Sequence, residues 1–179
     1  MKLSFSLCIF FFNLLLLLQA VISADIVQGT CKKVAQRSPN VNYDFCVKSL
    51  GADPKSHTAD LQGLGVISAN LAIQHGSKIQ TFIGRILKSK VDPALKKYLN
   101  DCVGLYADAK SSVQEAIADF KSKDYASANV KMSAALDDSV TCEDGFKEKK
   151  GIVSPVTKEN KDYVQLTAIS LAITKLLGA

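Results

Sequence analysis

Four cysteines outside the apolar N-terminal stretch constrain this chain more than any other feature, because they fall into two pairs, each centred on a turn signal. Cys31 and Cys46 are symmetric about Ser38-Pro39, and Cys102 and Cys142 are symmetric about Ser122, inside the polar run Lys121-Ser122-Lys123-Asp124. If each turn reverses a helix, the members of a pair lie level on adjacent antiparallel arms. That brings their Cα atoms within the about 7 Å a disulfide needs. Four cysteines allow three connectivities, and the symmetry favours Cys31 with Cys46 and Cys102 with Cys142.

The fifth cysteine, Cys8, lies in a leader. Met1 and Lys2 precede a near-continuous apolar run from Leu7 to Leu18, broken by Asn13. The run is short for a membrane span, which takes about 20 apolar residues, and fits the core of a secretory signal peptide with Val21 and Ser23 at the small-residue positions of a cleavage site. The expected division is a signal peptide at 1–23 and a mature domain at 24–179, with no membrane association after cleavage. An oxidising compartment then lets the four remaining thiols pair.

About 156 residues remain after residue 23, enough for one domain with a sizeable core. Without Lys2 the chain keeps 21 basic against 17 acidic residues, a formal charge of +4. The charge is spread along the chain. Its densest patch, Lys147 to Lys150, contains Glu148 and no aromatic platform, so nucleic acid is not an expected partner. A solvated surface is the plain reading, and attraction to an acidic partner or an anionic wall polymer the sharper one.

Helical periodicity runs through the mature chain. Leu95, Leu99, Cys102, Tyr106, Ala109, Val113, Ala116 and Phe120 recur at alternating spacings of four and three, the mark of a helix with one buried stripe. Asp92-Pro93 supplies a cap followed by proline at the first helical position. Beyond Ser122 the pattern resumes with Tyr125, Ala128, Met132, Ala135, Ser139, Cys142 and Phe146, and Asp124 is placed to cap it. A helix from about Thr58 to Ser89 precedes these two. Gly63, Gly65 and Gly76 inside it point to close helix approach or a kink, since each costs about 1 kcal/mol relative to alanine. A last helix is expected from Ser154-Pro155 to about Leu177. The segment 24–52 reads as a short hairpin whose arms need the Cys31–Cys46 link to persist, with Ile26, Val34, Phe45 and Leu50 as its apolar face. The remaining 56–179 form the bundle. The fold class is therefore all-α: a four-helix up-down-up-down bundle with an N-terminal helical hairpin and two disulfides.

No catalytic or metal site is expected, and no cofactor. His57 and His75 have no cysteine or carboxylate around them at ligand spacing. No nucleophile elbow or phosphate-binding glycine pattern occurs. Asp137-Asp138 and Glu143-Asp144 are sequence neighbours that diverge around a helix.

The order of these features resembles the plant invertase and pectin methylesterase inhibitor family. The resemblance rests on the leader, the Cys31–Cys46 hairpin, Leu99-Asn100-Asp101-Cys102 through Leu105-Tyr106-Ala107-Asp108-Ala109, the Ala134-Ala135-Leu136 run leading to Thr141-Cys142-Glu143-Asp144-Gly145-Phe146, and the apolar closing helix. It covers essentially the whole mature chain. It implies a four-helix bundle with a helical hairpin, both disulfides as paired above, and a secreted, cell-wall role, with the vacuole as second location. It also implies an inhibitor of enzymes, itself without catalysis.

Family members that block acid invertase, a retaining glycosidase, share a Pro-Lys-Phe segment in the loop between the two disulfide-linked helices, and its lysine enters the sugar-binding cleft. The matching stretch here, Lys121-Ser122-Lys123-Asp124-Tyr125, lacks that proline and phenylalanine. A Gly-Asp-Tyr-like segment of the pectin methylesterase inhibitors matches it equally, with Lys123 in place of the glycine. Lys121, Lys123, Asp124 and Tyr125 are the candidate target-binding residues. Acid invertase is the expected target, and pectin methylesterase the alternative. Outside inhibition, small residues such as Ala109, Ala128 and Ala135 leave open a bundle that holds an apolar ligand. The oligomeric state stays open, as monomer or hairpin-swapped dimer.

Overall fold

In the computed structural model of the chain, residues 7, 9–11 and 26–179 are described; the expected cleavage point between Ser23 and Ala24, and the domain boundary with it, lie outside them. Among the described residues, no helix is long and apolar enough to cross a membrane.

Four long helices follow the apolar periodicity. They are α3 (Leu61–Leu87), α4 (Pro93–Ser122), α5 (Tyr125–Lys147) and α6 (Thr157–Leu176). Asp92 starts α4 by accepting from the amides of Ala94 (2.8 Å) and Leu95 (3.3 Å), and Asp60 starts α3 through Gly63 (2.7 Å). Short connections make successive helices neighbours. Each helix packs on the next, and α6 closes the ring against α3. This is the expected up-down-up-down bundle.

The stripes meet inside. On α4, Leu99, Cys102, Tyr106, Ala109, Val113, Ala116 and Phe120 are buried, and on α5 so are Ala128, Met132, Ala135, Ser139, Cys142 and Phe146. Large buried rings share the interior with the small residues: Tyr106 and Tyr163 meet edge to face at 5.1 Å, and the Tyr106 hydroxyl donates to Asn160. Gly76 makes room for that pair, since a Cβ there would lie 3.1 Å from the Tyr163 ring and 3.4 Å from Tyr106. Gly65 does the same for Phe120. Close approach, and not a phosphate loop, is what these glycines provide.

The N-terminal hairpin consists of α1 (residues 26–37) and α2 (Tyr43–Gly51). Cys31 is bonded to Cys46 across it, with the Cα atoms 5.6 Å apart. Val34, Cys46 and Leu50 are buried and Phe45 half-buried, whereas Ile26 remains 41% exposed. The hairpin docks where α3 and α6 meet: α2 packs on both, and Gln165 on α6 accepts from the Asn42 amide at 3.0 Å. Covered from three sides, α6 is buried nearly all round between Gln165 and Thr174, as expected of a helix with neighbours on every face.

Two helix starts differ from expectation. α3 begins at Leu61, capped by Asp60, and not at about Thr58, which closes a short 3-10 turn. α6 begins at Thr157 instead of at Ser154-Pro155, with no side-chain cap. The Ser154 hydroxyl accepts from the Val156 amide (3.3 Å) and donates to Glu143 of α5 (2.9 Å), which also accepts from Thr157 Oγ1 (2.6 Å). That carboxylate ties the start of α6 to α5.

Candidate functional site

The α4–α5 turn is built from Lys121 to Tyr125. At the end of α4 the Asp124 amide donates back to the Asp119 carbonyl (2.9 Å) and the Lys123 amide to Phe120 (3.1 Å), the paired bonds of a Schellman motif. Such a motif needs a left-handed residue after the helix, and glycine normally supplies it. Here the position is Lys123, at φ 63° and ψ 20°, the one non-glycine residue with positive φ among those described. An L-residue held there costs roughly 1–2 kcal/mol. Asp124 then caps α5 by accepting from the Ser127 amide at 3.0 Å. That hydrogen bond, aided by the Ser127 side chain and Lys131, holds the Asp124 carboxyl below the usual aspartate range.

Beneath the turn lies a brace. Phe120 is fully buried, against Gly65, where a Cβ would come within 2.6 Å of its ring. Tyr125 packs on Phe120 with ring centroids 6.3 Å apart, and its hydroxyl donates to Gln62 Oε1 of α3 at 3.0 Å. Six residues beyond Tyr125, Lys131 of α5 pairs with Asp119 (2.9 Å) and Glu115 (3.3 Å) of α4. Those hydrogen bonds, Asp119 foremost, raise the pKa of the Lys131 ammonium. At the other end of the hairpin Cys102 is bonded to Cys142, with Cα atoms 4.9 Å apart. That bond lies about 30 Å from the tip at 1.5 Å per residue, so the tip is positioned by its own packing.

The structure therefore divides the candidate residues. Lys121 and Lys123 are exposed and take part in no ion pair among the described residues. Asp124 is occupied as a cap, and Tyr125 is folded back on α3. Gln62, Phe120, Gly65 and Lys131 complete the site without having been singled out as part of it. Two of them carried a signal, Gly65 as a glycine inside a helix and Phe120 as the last residue of the α4 stripe.

The other candidates for chemistry stay apart. His75 Nε2 lies 2.9 Å from the Glu159 carbonyl, His57 ends a short 3-10 turn, and Asp144 pairs with Lys147 at 2.6 Å. Asp138 is half-buried on α5. Burial foremost, then the charges of Asp108 and Asp137, raise its pKa. Among the described residues no group of three or more metal-ligating side chains forms.

Comparison with known proteins supplies the class of this chain. The family model for "Plant invertase/pectin methylesterase inhibitor" matches residues 25–173. The chain belongs to that family. Over all 179 residues of both chains it is 93% identical to a Platanus orientalis protein named "Putative invertase inhibitor". A "Pectinesterase inhibitor 12" of Arabidopsis thaliana is 37% identical over 85% of this chain and 87% of its own length. The crystal structure of a pectin methylesterase inhibitor from Arabidopsis thaliana superposes with a TM-score of 0.63 at 30% identity, covering 77% of this chain and 90% of that one. As a member of the plant invertase/pectin methylesterase inhibitor family, the chain is an inhibitor and not an enzyme. Its helical architecture is the one seen in that solved relative.

Proposed function

We propose that this inhibitor blocks an acid invertase by presenting the α4–α5 turn, led by Lys123, to the enzyme's active-site cleft. The observation that carries this reading is the 93% identity, end to end, to the Platanus orientalis protein, and the left-handed lysine gives it a mechanism. A retaining glycosidase holds two carboxyl groups about 5 Å apart, an anionic hole that an ammonium fits. Backbone strain at a position where glycine would cost nothing is the kind of feature that functional sites retain. Lys123 enters the cleft, Lys121 adds a second positive charge at its rim, and Asp124 and Tyr125 keep the turn in shape.

The oxidised protein is titrated against a purified acid invertase and a purified pectin methylesterase. Invertase activity should fall, and Lys123→Glu should weaken that inhibition by about 3 kcal/mol, with the far-UV circular dichroism unchanged. Equal inhibition by wild type and variant would remove the turn from the mechanism.

The second reading, inhibition of a pectin methylesterase, is favoured by the names of the 37% identical relative and of the solved structure. In that case the contact spreads along helix faces, esterase activity falls instead, and shortening the turn matters little. Either action takes place outside the cell, after removal of residues 1–23. N-terminal sequencing of the exported protein should begin at Ala24, and a sequence starting at Met1 would refute the processing.

A further inference from the structure

Phe45 stands half-buried on α2 between two grooves, and it lines both. One groove, of about 510 Å³, runs between α2, α3 and α6, with Leu71 and Leu166 among its lining and Lys48, Lys78 and Lys158 around it. The other, of about 560 Å³, lies between the α1–α2 turn and α6, where Lys161 joins the amides of Asn40, Asn42 and Gln165. All four lysines are exposed, and none is in an ion pair among the described residues. Asp162 is the one carboxylate that lines either groove. Four ammonium groups against one carboxylate fix the sign of the ligand as negative.

The remaining groups fix its kind. Lysines are point charges that pair with carboxylate and phosphate alike, so the choice between them falls to the apolar lining and the amides. One phenyl ring, and one imidazole whose Nε2 lies 2.9 Å from the Glu159 carbonyl, are not the row of stacking platforms that single-stranded nucleic acid uses. A concave surface with an aromatic ring, aliphatic side chains and amides suits sugar rings, whose C–H faces pack on apolar atoms while hydroxyls meet amides. A flat bilayer would not reach such a floor. We propose that the two grooves flanking Phe45 bind an acidic polysaccharide chain, an oligouronate, with a sugar ring over Phe45 and its carboxylates along the four lysines.

This surface is separate from the tip. Leu71 and Lys78 lie nine and sixteen residues beyond Gln62 on α3, about 14 and 24 Å along the helix. The inhibitor could thus hold a wall polymer and an enzyme at the same time.

Calorimetric titration of the full oxidised protein with a de-esterified oligogalacturonate tests the proposal. Binding should weaken as salt rises, and the fully methyl-esterified oligosaccharide should not bind. Lys78→Glu with Lys158→Glu should cost tenfold or more in affinity while enzyme inhibition is unchanged, and Lys123→Glu should bind the oligouronate like wild type. Phe45→Ala should also weaken binding; if it lowers helical content, the lysine pair alone decides. Equal binding of the esterified chain, indifference to the lysine pair, or equally tight binding of inorganic polyphosphate would each overturn the proposal.

Discussion

The molecule contains two stapled hairpins that solve the same problem differently. In the N-terminal one, arms of 12 and 9 residues are too short to persist as helices in water. The Cys31–Cys46 bond and docking on α3 and α6 hold them. The α4–α5 hairpin has arms of 30 and 23 residues, each with a full buried stripe. Its Cys102–Cys142 bond sits far from the tip, and packing at Gly65, Phe120 and Tyr125 shapes the turn. One staple maintains local structure, while the other reinforces a joint that packing already makes. What the tip presents is therefore set by noncovalent contacts.

Removing each staple in turn is the strongest way to break this comparison. On the chain-entropy account, the separation of 40 between Cys102 and Cys142 makes their bond worth roughly 4 kcal/mol, and the separation of 15 in the other pair roughly 3. Denaturant melts of Cys102→Ala/Cys142→Ala and Cys31→Ala/Cys46→Ala should show those losses. Hydrogen exchange should separate them further. Loss of Cys31–Cys46 should accelerate exchange mainly over residues 26–51, and faster exchange at the α4–α5 tip in that variant would contradict the division.

Gly65→Ala sharpens it from the other side. The added methyl would meet Phe120 at 2.6 and 2.9 Å and Ile173 at 3.1 Å, so the ring that supports Tyr125 must move. Overpacking of this kind costs about 1–3 kcal/mol. The variant should lose stability and inhibition together although it lies on α3 and changes no surface charge. Full inhibition by a destabilised Gly65→Ala would show that the brace does not set the tip. At Gly76 the nearest contact is 3.1 Å, and the penalty of Gly76→Ala should be smaller.

Periodicity made the scaffold legible. A four-three repeat of apolar residues carries its burial with it, which is why the α4 stripe from Leu99 to Phe120 and the α5 stripe from Ala128 to Phe146 could be read residue by residue. Asp92, Asp124 and the helical glycines also spoke locally. The tip did not. Tyr125 continues the α5 stripe, and its place on that stripe, not its place in the turn, decides where the ring goes. Its partner Gln62 is 63 residues away and has no pattern of its own. A left-handed lysine looks like any other lysine in a sequence, because only the Schellman bonds to Asp119 and Phe120 impose that conformation. At Ser154 the hydroxyl serves both the Val156 amide and a distant carboxylate, Glu143, and the helix starts only at Thr157.

Lys123→Gly separates shape from charge at the tip. Glycine adopts the left-handed conformation freely, so the variant should be about 1 kcal/mol more stable, a rise of roughly 2–4 °C in the thermal midpoint for a domain of this size. It should nevertheless inhibit invertase poorly. Calorimetry and an inhibition assay on one preparation read both. A loss of stability would mean that Lys123 is held by contacts worth more than the strain.

The smallest effect is a pH dependence with two opposite signs in the α4–α5 hairpin. The Asp138 pKa is raised above its ordinary 3.8 by burial and by Asp108 and Asp137. The folded state therefore binds a proton there before the unfolded chain does, and stability rises as pH falls from the raised value toward 3.8. The Asp124 pKa is lowered from 3.8 by the Ser127 hydrogen bonds. Its contribution is intact above 3.8 and is lost as pH falls through the lower folded value. Acidification should first stabilise this hairpin and then destabilise it, with the turning point near the ordinary aspartate pKa. Thermal midpoints followed against pH should lose the rise in Asp138→Asn and the corresponding part of the acid fall in Asp124→Asn. If both variants keep the wild-type profile, the response arises elsewhere in the molecule, and the tip is no more sensitive to acid than the N-terminal hairpin.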